Sequence, residues 1–214
     1  FVDSMPFVPS DNEKRAQRCK EIFAIQASGL AKRIEHVGSN GVVVGISGGL
    51  DSTLALLVSV SAMKLLGKNN SDILGVTMPG FGTTDRTYQN AIDLMKSLGV
   101  TIKEISIKDA CVLHMKDIEH DSLVKDITYE NTQARERTQI LFDLANKHGK
   151  LLVGTGDLSE LAMGWCTYNG DHMSMYGVNA SVPKTLVKYL VEYVANVSDK
   201  KTADILYDVL DTPV

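Results

Sequence analysis

Apolar and polar positions along the chain follow two periods in turn. Ser10-Asp11-Asn12-Glu13 reads as a helix start, with Glu13 three residues after Ser10. Ile22, Phe23, Gln26, Leu30 and Ile34 then keep helical spacing, with Gln26 the one polar exception, and the helix is expected to stop near Gly38. Val42 to Ile46 is a short β-branched run without polar alternation, the pattern of a strand covered on both faces. Ser52 to Leu66 has the length and composition of a helix. The unit then repeats. Ile73 to Met78 is a second strand, followed by a loop with Pro79, Gly80 and Gly82 and a helix from about Arg86 to Ser97. Ile102 to Ile107 is a third strand, Asn131 to Lys147 a long helix, Leu151 to Val153 a short strand and Asp157 to Met163 another helix. Gly164 to Ser181, rich in Gly, Asn and Met, reads as a structured loop. Pro183 suits a helix first turn, so Lys184 to Asn196 is expected to be helical, and Thr202 to Leu210 likewise.

Strands alternating with helices imply a doubly wound α/β sheet, mostly parallel, with helices on both faces. Ligands of such sheets sit beyond the carboxyl ends of the strands, at a topological switch point. The loops after Ile46, Met78 and Val153 all fall at that end.

Composition narrows the classes. The chain has 214 residues, is 44% hydrophobic and 22% charged, and carries a formal net charge of −4. That is enough apolar content for one real core. Neither a basic balance nor a basic stripe is present, so a nucleic-acid partner is not expected. Cys19, Cys111 and Cys166 are scattered and show no CxxC spacing, which argues against a disulfide framework or a zinc site and fits a reducing cytoplasm. No apolar run has the length of a membrane span, and Phe1 to Ser10 does not read as a signal peptide. The chain opens on Phe1 and stops at Val214, and a piece of a longer protein is expected.

The chemistry concentrates in Gly45-Ile46-Ser47-Gly48-Gly49-Leu50-Asp51-Ser52, which runs from strand to helix. Gly48 and Gly49 let the backbone turn tightly and approach a ligand. Their N–H groups and the following helix N-terminus suit phosphate oxygens, and Ser47 and Ser52 add hydroxyls. Asp51 is a poor neighbour for phosphate but a good ligand for Mg²⁺ that also holds phosphate. No Gly-Lys-Ser/Thr follows, so this is not a Walker A loop, and the GxGxxG spacing of a dinucleotide fingerprint is missing.

Ser-Gly-Gly-x-Asp-Ser resembles the pyrophosphate-binding motif of the N-type ATP pyrophosphatases, which cleave ATP to AMP and pyrophosphate. The motif alone leaves GMP, asparagine and argininosuccinate synthetases and tRNA-modifying enzymes open, as well as a nucleotide-binding module without turnover. Two further segments resemble signatures of NAD synthetases: Tyr129 to Arg137 (YENTQARER) and Gly154 to Tyr176 (GTGDLSELAMGWCTYNGDHMSMY). The likeness runs from about Pro6 to Val214 and is closest to the synthetase domain of the glutamine-dependent bacterial form.

This resemblance implies a Rossmann-like fold of the adenine nucleotide alpha hydrolase type. It implies a reaction in which nicotinate adenine dinucleotide, ATP and ammonia give NAD⁺, AMP and pyrophosphate. By position, Ser47, Gly48, Gly49, Asp51 and Ser52 hold pyrophosphate, Asp51 and Glu160 are the Mg²⁺ carboxylates, and Lys184 and Thr155 meet ATP. Asn131 and Arg135 bind the dinucleotide, and Asp171 lies near its nicotinate end, where it also serves to take a proton from ammonia. The small ammonia-dependent members carry a second acid four residues after the position of Asp171; here that residue is Met175. The resemblance further implies a homodimer and an upstream glutaminase domain in the parent chain, so that the present chain is expected to use free ammonia.

Without the resemblance, several of these residues have plainer roles. Asp157 and Glu160 suit compensation of a helix dipole, Asn131 a helix cap, Arg135 and Arg137 surface ion pairs, and Lys184 a solvated lysine. His36, His114, His120, His148 and His172 show no ligand spacing. Cys166 is expected to be neutral and buried, and Met63, Met95, Met115 and Met163 to fill core gaps.

Overall fold

The computed structural model describes residues 5–82 and 84–212. Five parallel strands form one sheet in the order β3-β2-β1-β4-β5. They are β1 (Val42–Gly45), β2 (Ile73–Thr77), β3 (Thr101–Glu104), β4 (Leu151–Gly154) and β5 (Tyr176–Gly177). Around them run α1 (Asn12–Val37), α2 (Leu50–Leu65), α3 (Asp85–Ser97), α4 (Lys108–Asp117), α5 (Ile127–His148), α6 (Leu158–Met163), α7 (Lys184–Val197) and α8 (Lys200–Leu210). The expected Rossmann-like, doubly wound α/β class is the observed one. The chain leaves β1 in one direction to build β2 and β3, then returns to β1's other side for β4. The switch point therefore lies between β1 and β4.

Alternate residues of the strands go to opposite faces. Val42, Val44, Ile73 and Val153 join the core shared with α1, α2, α3, α7 and α8. Val43, Leu74, Val76 and Leu152 pack against Leu144 and Ala145 of α5 on the other face. With both faces covered, no polar alternation survives in β1, β2 or β4, which is why they read as continuous apolar runs.

α2 is apolar all round and is buried without a break from Ser52 to Ser59. Over that stretch the helix has no solvent face, and its position is set by the sheet and by α1 and α7 on its flanks. Its N-terminus, which follows the glycine-rich loop, is thereby held fixed against the core.

Several boundaries differ from the sequence expectations. The cap of α1 is Asp11, whose carboxylate accepts from the Lys14 N–H at 2.8 Å, one residue after Ser10. α1 does end at Gly38, which takes a left-handed conformation. β3 stops at Glu104. Ile107 has left the sheet and joins Cys111, Met115 and Tyr129 in a small separate cluster. α4, which no expectation covered, supplies two of those residues. β5 lies inside the segment expected to be a loop and pairs through only two residues, Tyr176 beside Val153 and Gly177 beside Gly154. Two residues are too few to show a period. Met63, Met95 and Met115 are fully buried, but Met163 is 74% exposed. α6 is a six-residue helix without one buried residue, so it gives Met163 no core to enter. Among the described residues no helix is long and apolar enough to cross a membrane.

Gly75 sits mid-strand in β2, directly under α3. A Cβ there would run into the Met95 side chain and come within 3.3 Å of Val100. Overpacking of a filled core costs about 1–3 kcal/mol. Gly75→Val is expected to lower the unfolding free energy, measured by urea titration, by that much, and Gly75→Ala by less.

Candidate active site

Beyond the carboxyl ends of β1 and β4 the chain opens into a crevice. One wall is the loop from β1 into α2. Its geometry follows from two glycines and two serines. Gly48 has φ +86°, and a Cβ there would overlap the Thr87 carbonyl at the start of α3, so only glycine fits. Gly49 is the N-cap of α2 and brings no side chain to cap it, which leaves the helix's first N–H groups open toward the crevice. Ser47 and Ser52 face each other across the turn, with their hydroxyls 3.1 Å apart. The Ser47 hydroxyl accepts from the Gly49 N–H at 3.2 Å, and the Ser52 hydroxyl donates to the Gly49 carbonyl at 3.1 Å.

The other wall is the loop from β4 into α6, with Thr155 and Asp157. Asp157 is fully buried and caps α6 by accepting from the Glu160 N–H at 2.9 Å. Glu160 returns the bond by accepting from the Asp157 N–H at 3.1 Å. This reciprocal box aims both carboxylates at the same point.

Lys184, the first residue of α7, reaches that point. Its Nζ lies 2.6 Å from Asp51 Oδ2, 2.8 Å from Asp157 Oδ2 and 3.2 Å from Glu160 Oε1. Burial works against the charged lysine, yet its contacts to Asp157, Asp51 and Glu160 outweigh that and hold its proton more firmly than usual. Burial raises the Asp51 carboxyl above the ordinary aspartate value. Lys184 pulls it down in part, while Asp157 and Glu160 push it up. One ammonium faces three carboxylates, so the cluster keeps an excess of negative charge.

The oxygens of Asp51, Asp157 and Glu160 lie within 4.8 Å of one another. Asp51 Oδ1 is buried and has no hydrogen-bond partner among the described residues. An all-oxygen donor set with an unused, buried carboxylate oxygen suits a hard divalent cation such as Mg²⁺.

Two adjoining cavities open from this point. The larger, of about 610 Å³, is lined by Ser47, Asp51, Ser52 and Thr155 on the crevice side. Phe81 and Tyr129, with ring centroids 5.5 Å apart, form an aromatic wall, and Gln133 and Arg137 of α5 complete it. The smaller, of about 430 Å³, is bounded by Glu160, Trp165, Cys166 and His172. Asp51, Thr155 and Asp171 border both. Arg137 grips Asp171 with a two-pronged ion pair, Nε to Oδ1 at 3.0 Å and Nη2 to Oδ2 at 2.6 Å.

The structure thus brings Ser47, Gly48, Gly49, Asp51, Ser52, Thr155, Glu160, Asp171 and Lys184 to one crevice. Asn131 and Arg135 do not line the larger cavity. Two positions along a helix is about 200° of turn. Tyr129, Gln133 and Arg137, spaced by four, face the cavity, and Asn131 and Arg135 face away from it. Arg135 instead donates to the Tyr168 carbonyl at 3.4 Å, beside the outer loop. Cys166 corrects an expectation, since it is exposed rather than buried. It follows α6 on the crevice rim, where Trp165 is exposed too. Asp157 was visible as half of an Asp-x-x-Glu capping pattern, which by itself says only that a helix starts there.

A five-stranded parallel sheet with a glycine- and serine-rich turn and an acid–lysine cluster at its switch point defines a Rossmann-like α/β class. The comparisons narrow it. The family NAD synthase matches residues 22–212, and the chain belongs to that family. It is 48% identical to a glutamine-dependent NAD(+) synthetase of Mycobacterium leprae over 100% of this chain and 32% of that protein. It is 37% identical to an NH(3)-dependent NAD(+) synthetase of Pyrobaculum aerophilum over 66% of this chain and 51% of that protein. Among solved structures, a glutamine-dependent NAD+ synthetase from Acinetobacter baumannii, in complex with ADP, superposes with a TM-score of 0.83 at 29% identity, covering 100% of this chain and 38% of that one. The chain spans about a third of the length of the glutamine-dependent relative from Mycobacterium leprae.

Removing the ammonium from the cluster should expose its charge balance. In Lys184→Met the carboxylates lose their shared cation, and the Asp51 carboxyl rises further. A folded-state value raised above the unfolded one means stability that is present at low pH and lost as pH rises through the folded value. The variant is therefore expected to melt below the wild type by more at pH 8 than at pH 5. The loss is expected to be about 1–2 kcal/mol, under the about 3–5 kcal/mol of a fully buried pair, because Lys184 is 42% exposed. Mg²⁺ should raise its melting temperature more than that of the wild type. Thermal melts at both pH values, with and without Mg²⁺, read both effects.

Proposed function

We propose that this chain amidates nicotinate adenine dinucleotide to NAD⁺ at the expense of ATP, releasing AMP and pyrophosphate. The observation that carries this is the meeting of the Ser47–Ser52 loop with the Asp51, Asp157, Glu160 and Lys184 cluster at one switch point, in a chain of the NAD synthase family.

ATP lies with its β- and γ-phosphates against the open N–H groups of α2 and the Ser47 and Ser52 hydroxyls. The aromatic wall of Phe81 and Tyr129 suits a flat base. A carboxylate oxygen of the nicotinate ring attacks the α-phosphorus, and the bond to pyrophosphate breaks. Lys184 and the α2 N-terminus stabilise the charge that gathers on that leaving group. Asp51 and Glu160, with Asp157 beside them, are the residues to hold Mg²⁺, which when bound neutralises phosphate charge. Ammonia then attacks the activated carbonyl carbon, and the bond to AMP breaks. Asp171 borders both cavities and is gripped by Arg137, and it is assigned the proton that ammonia gives up. Asn131 and Arg135, on the outer face of α5, are assigned to the part of the dinucleotide that extends beyond the larger cavity. We assign the working protein a homodimeric state and an upstream glutaminase domain as its ammonia source. The free cysteines suit the cytoplasm.

Incubation with ATP, Mg²⁺, ammonium and nicotinate adenine dinucleotide is expected to yield NAD⁺ and AMP in equal amounts, resolved by chromatography. Formation of ADP and phosphate instead would refute the reaction. Asp51→Asn is expected to keep the circular dichroism spectrum and to lower kcat by about 10²-fold or more. An unchanged kcat would remove Asp51 from the metal role.

A further inference from the structure

The two walls of the crevice diverge where the sheet ends. The pairing of β1 with β4 stops at Val44 beside Val153. Among the described residues, no backbone hydrogen bond joins the loop after β1 to the loop after β4. Two side chains do. One is Lys184, whose ammonium is charged and is called on by phosphate. The other is Asn179, in the turn between β5 and α7. Its Nδ2 donates to the carbonyl of Asp51 on one wall and to the carbonyl of Thr155 on the other, each at 3.0 Å. Asn179 is fully buried.

Gln26 of α1 holds this amide in place. Its Nε2 donates to the Val178 carbonyl at 2.8 Å and to Asn179 Oδ1 at 3.1 Å. A flipped Asn179 would set its oxygen against two carbonyl oxygens and its NH₂ against that of Gln26, so only one orientation satisfies all four groups. Gln26 is the polar break in the apolar stripe of α1. It is buried, and its own Oε1 has no hydrogen-bond partner among the described residues. An apolar residue would pack there without that cost. The turn that carries Asn179 leads into Lys184, and the Val182 N–H donates to the Asn179 carbonyl at 2.8 Å.

We propose that Asn179, oriented by Gln26, is the positioning residue that sets the width of the ATP crevice, a role that rests on this crevice being the ATP site. Among the described residues its side-chain hydrogen bonds go to Gln26 and to two backbone carbonyls, not to the phosphate-loop hydroxyls or the acid side chains. It acts through the backbone of Asp51 and Thr155, and so fixes where the start of α2 stands relative to the Asp157–Glu160 box.

The test compares Asn179→Ala, Asn179→Asp and Gln26→Met with the wild-type chain. It measures the Kd of Mg·ATP by calorimetry and, in turnover, the KM values for ATP and ammonium. Loss of two neutral hydrogen bonds should weaken ATP roughly tenfold in Asn179→Ala. The KM for ammonium should stay within twofold. Asn179→Asp keeps the shape but turns an acceptor toward two carbonyls, so it should be at least as weak as the alanine variant. If Asn179 only fills space, the aspartate variant will bind ATP like wild type, and the proposal falls. It also falls if Asn179→Ala folds and its ATP affinity is within twofold of wild type. Should Asn179→Ala not fold, Gln26→Met decides, because Gln26 reaches the crevice only through Asn179 and its neighbour's carbonyl. A threefold or larger rise in the Kd for ATP supports the clamp, and a smaller change overturns it. Wild type that binds ATP yet makes no NAD⁺ would refute the proposed reaction while leaving the affinity comparison intact. Wild type that does not bind ATP would overturn both.

Discussion

One ammonium shared by three carboxylates organises this molecule's chemistry. Lys184 comes from the start of α7, Asp51 from the first turn of α2, and Asp157 and Glu160 from the start of α6. Each element brings its group by its N-terminal end. Negative side chains are comfortable there because the helix dipole favours them, and open N–H groups beside them favour phosphate. The same place therefore suits both acidic side chains and an anionic ligand. With three negative charges to one positive, the cluster has room for more positive charge, and Asp51 keeps a buried oxygen without a partner among the described residues to receive it.

That arrangement depends on rigid support. α2 is enclosed between the sheet, α1 and α7, so its N-terminus has little freedom to follow a ligand. The Asp157–Glu160 box locks the opposite wall through its own backbone. The seam between them opens where the paired strands β1 and β4 end, a consequence of a chain that winds outward in both directions from β1. A binding crevice and a structural weakness arise together there, and buried polar side chains reconcile them. Arg137 does similar work for Asp171 on the α5 side, tying the outer loop to a long helix.

Much of this was legible in the chain. The apolar runs of β1, β2 and β4 announced a doubly covered parallel sheet, and the Ser47–Ser52 loop announced a tight strand-to-helix turn, because local glycine and hydroxyl spacing dictates local backbone geometry. Other parts were not. β5 has two residues and owes its existence to β4 beside it. Ile107 looks like strand but leaves the sheet, because a separate cluster with α4 and α5 captures it. Gln26 read as a flaw in an amphipathic stripe, and only its neighbour 153 positions away explains it.

The sequence by itself determined the class of fold, the glycine- and serine-rich turn and the identity of most groups in the crevice, since these follow from short-range periodicity and from motifs of contiguous residues. Tertiary structure alone decided that Asp157 joins Asp51 and Glu160 around Lys184, that Arg137 rather than Arg135 faces the cavity, and that Asn179 bridges the two walls. Those facts depend on where distant helices end in space, and that is set by packing on the two faces of the sheet, which no local pattern encodes.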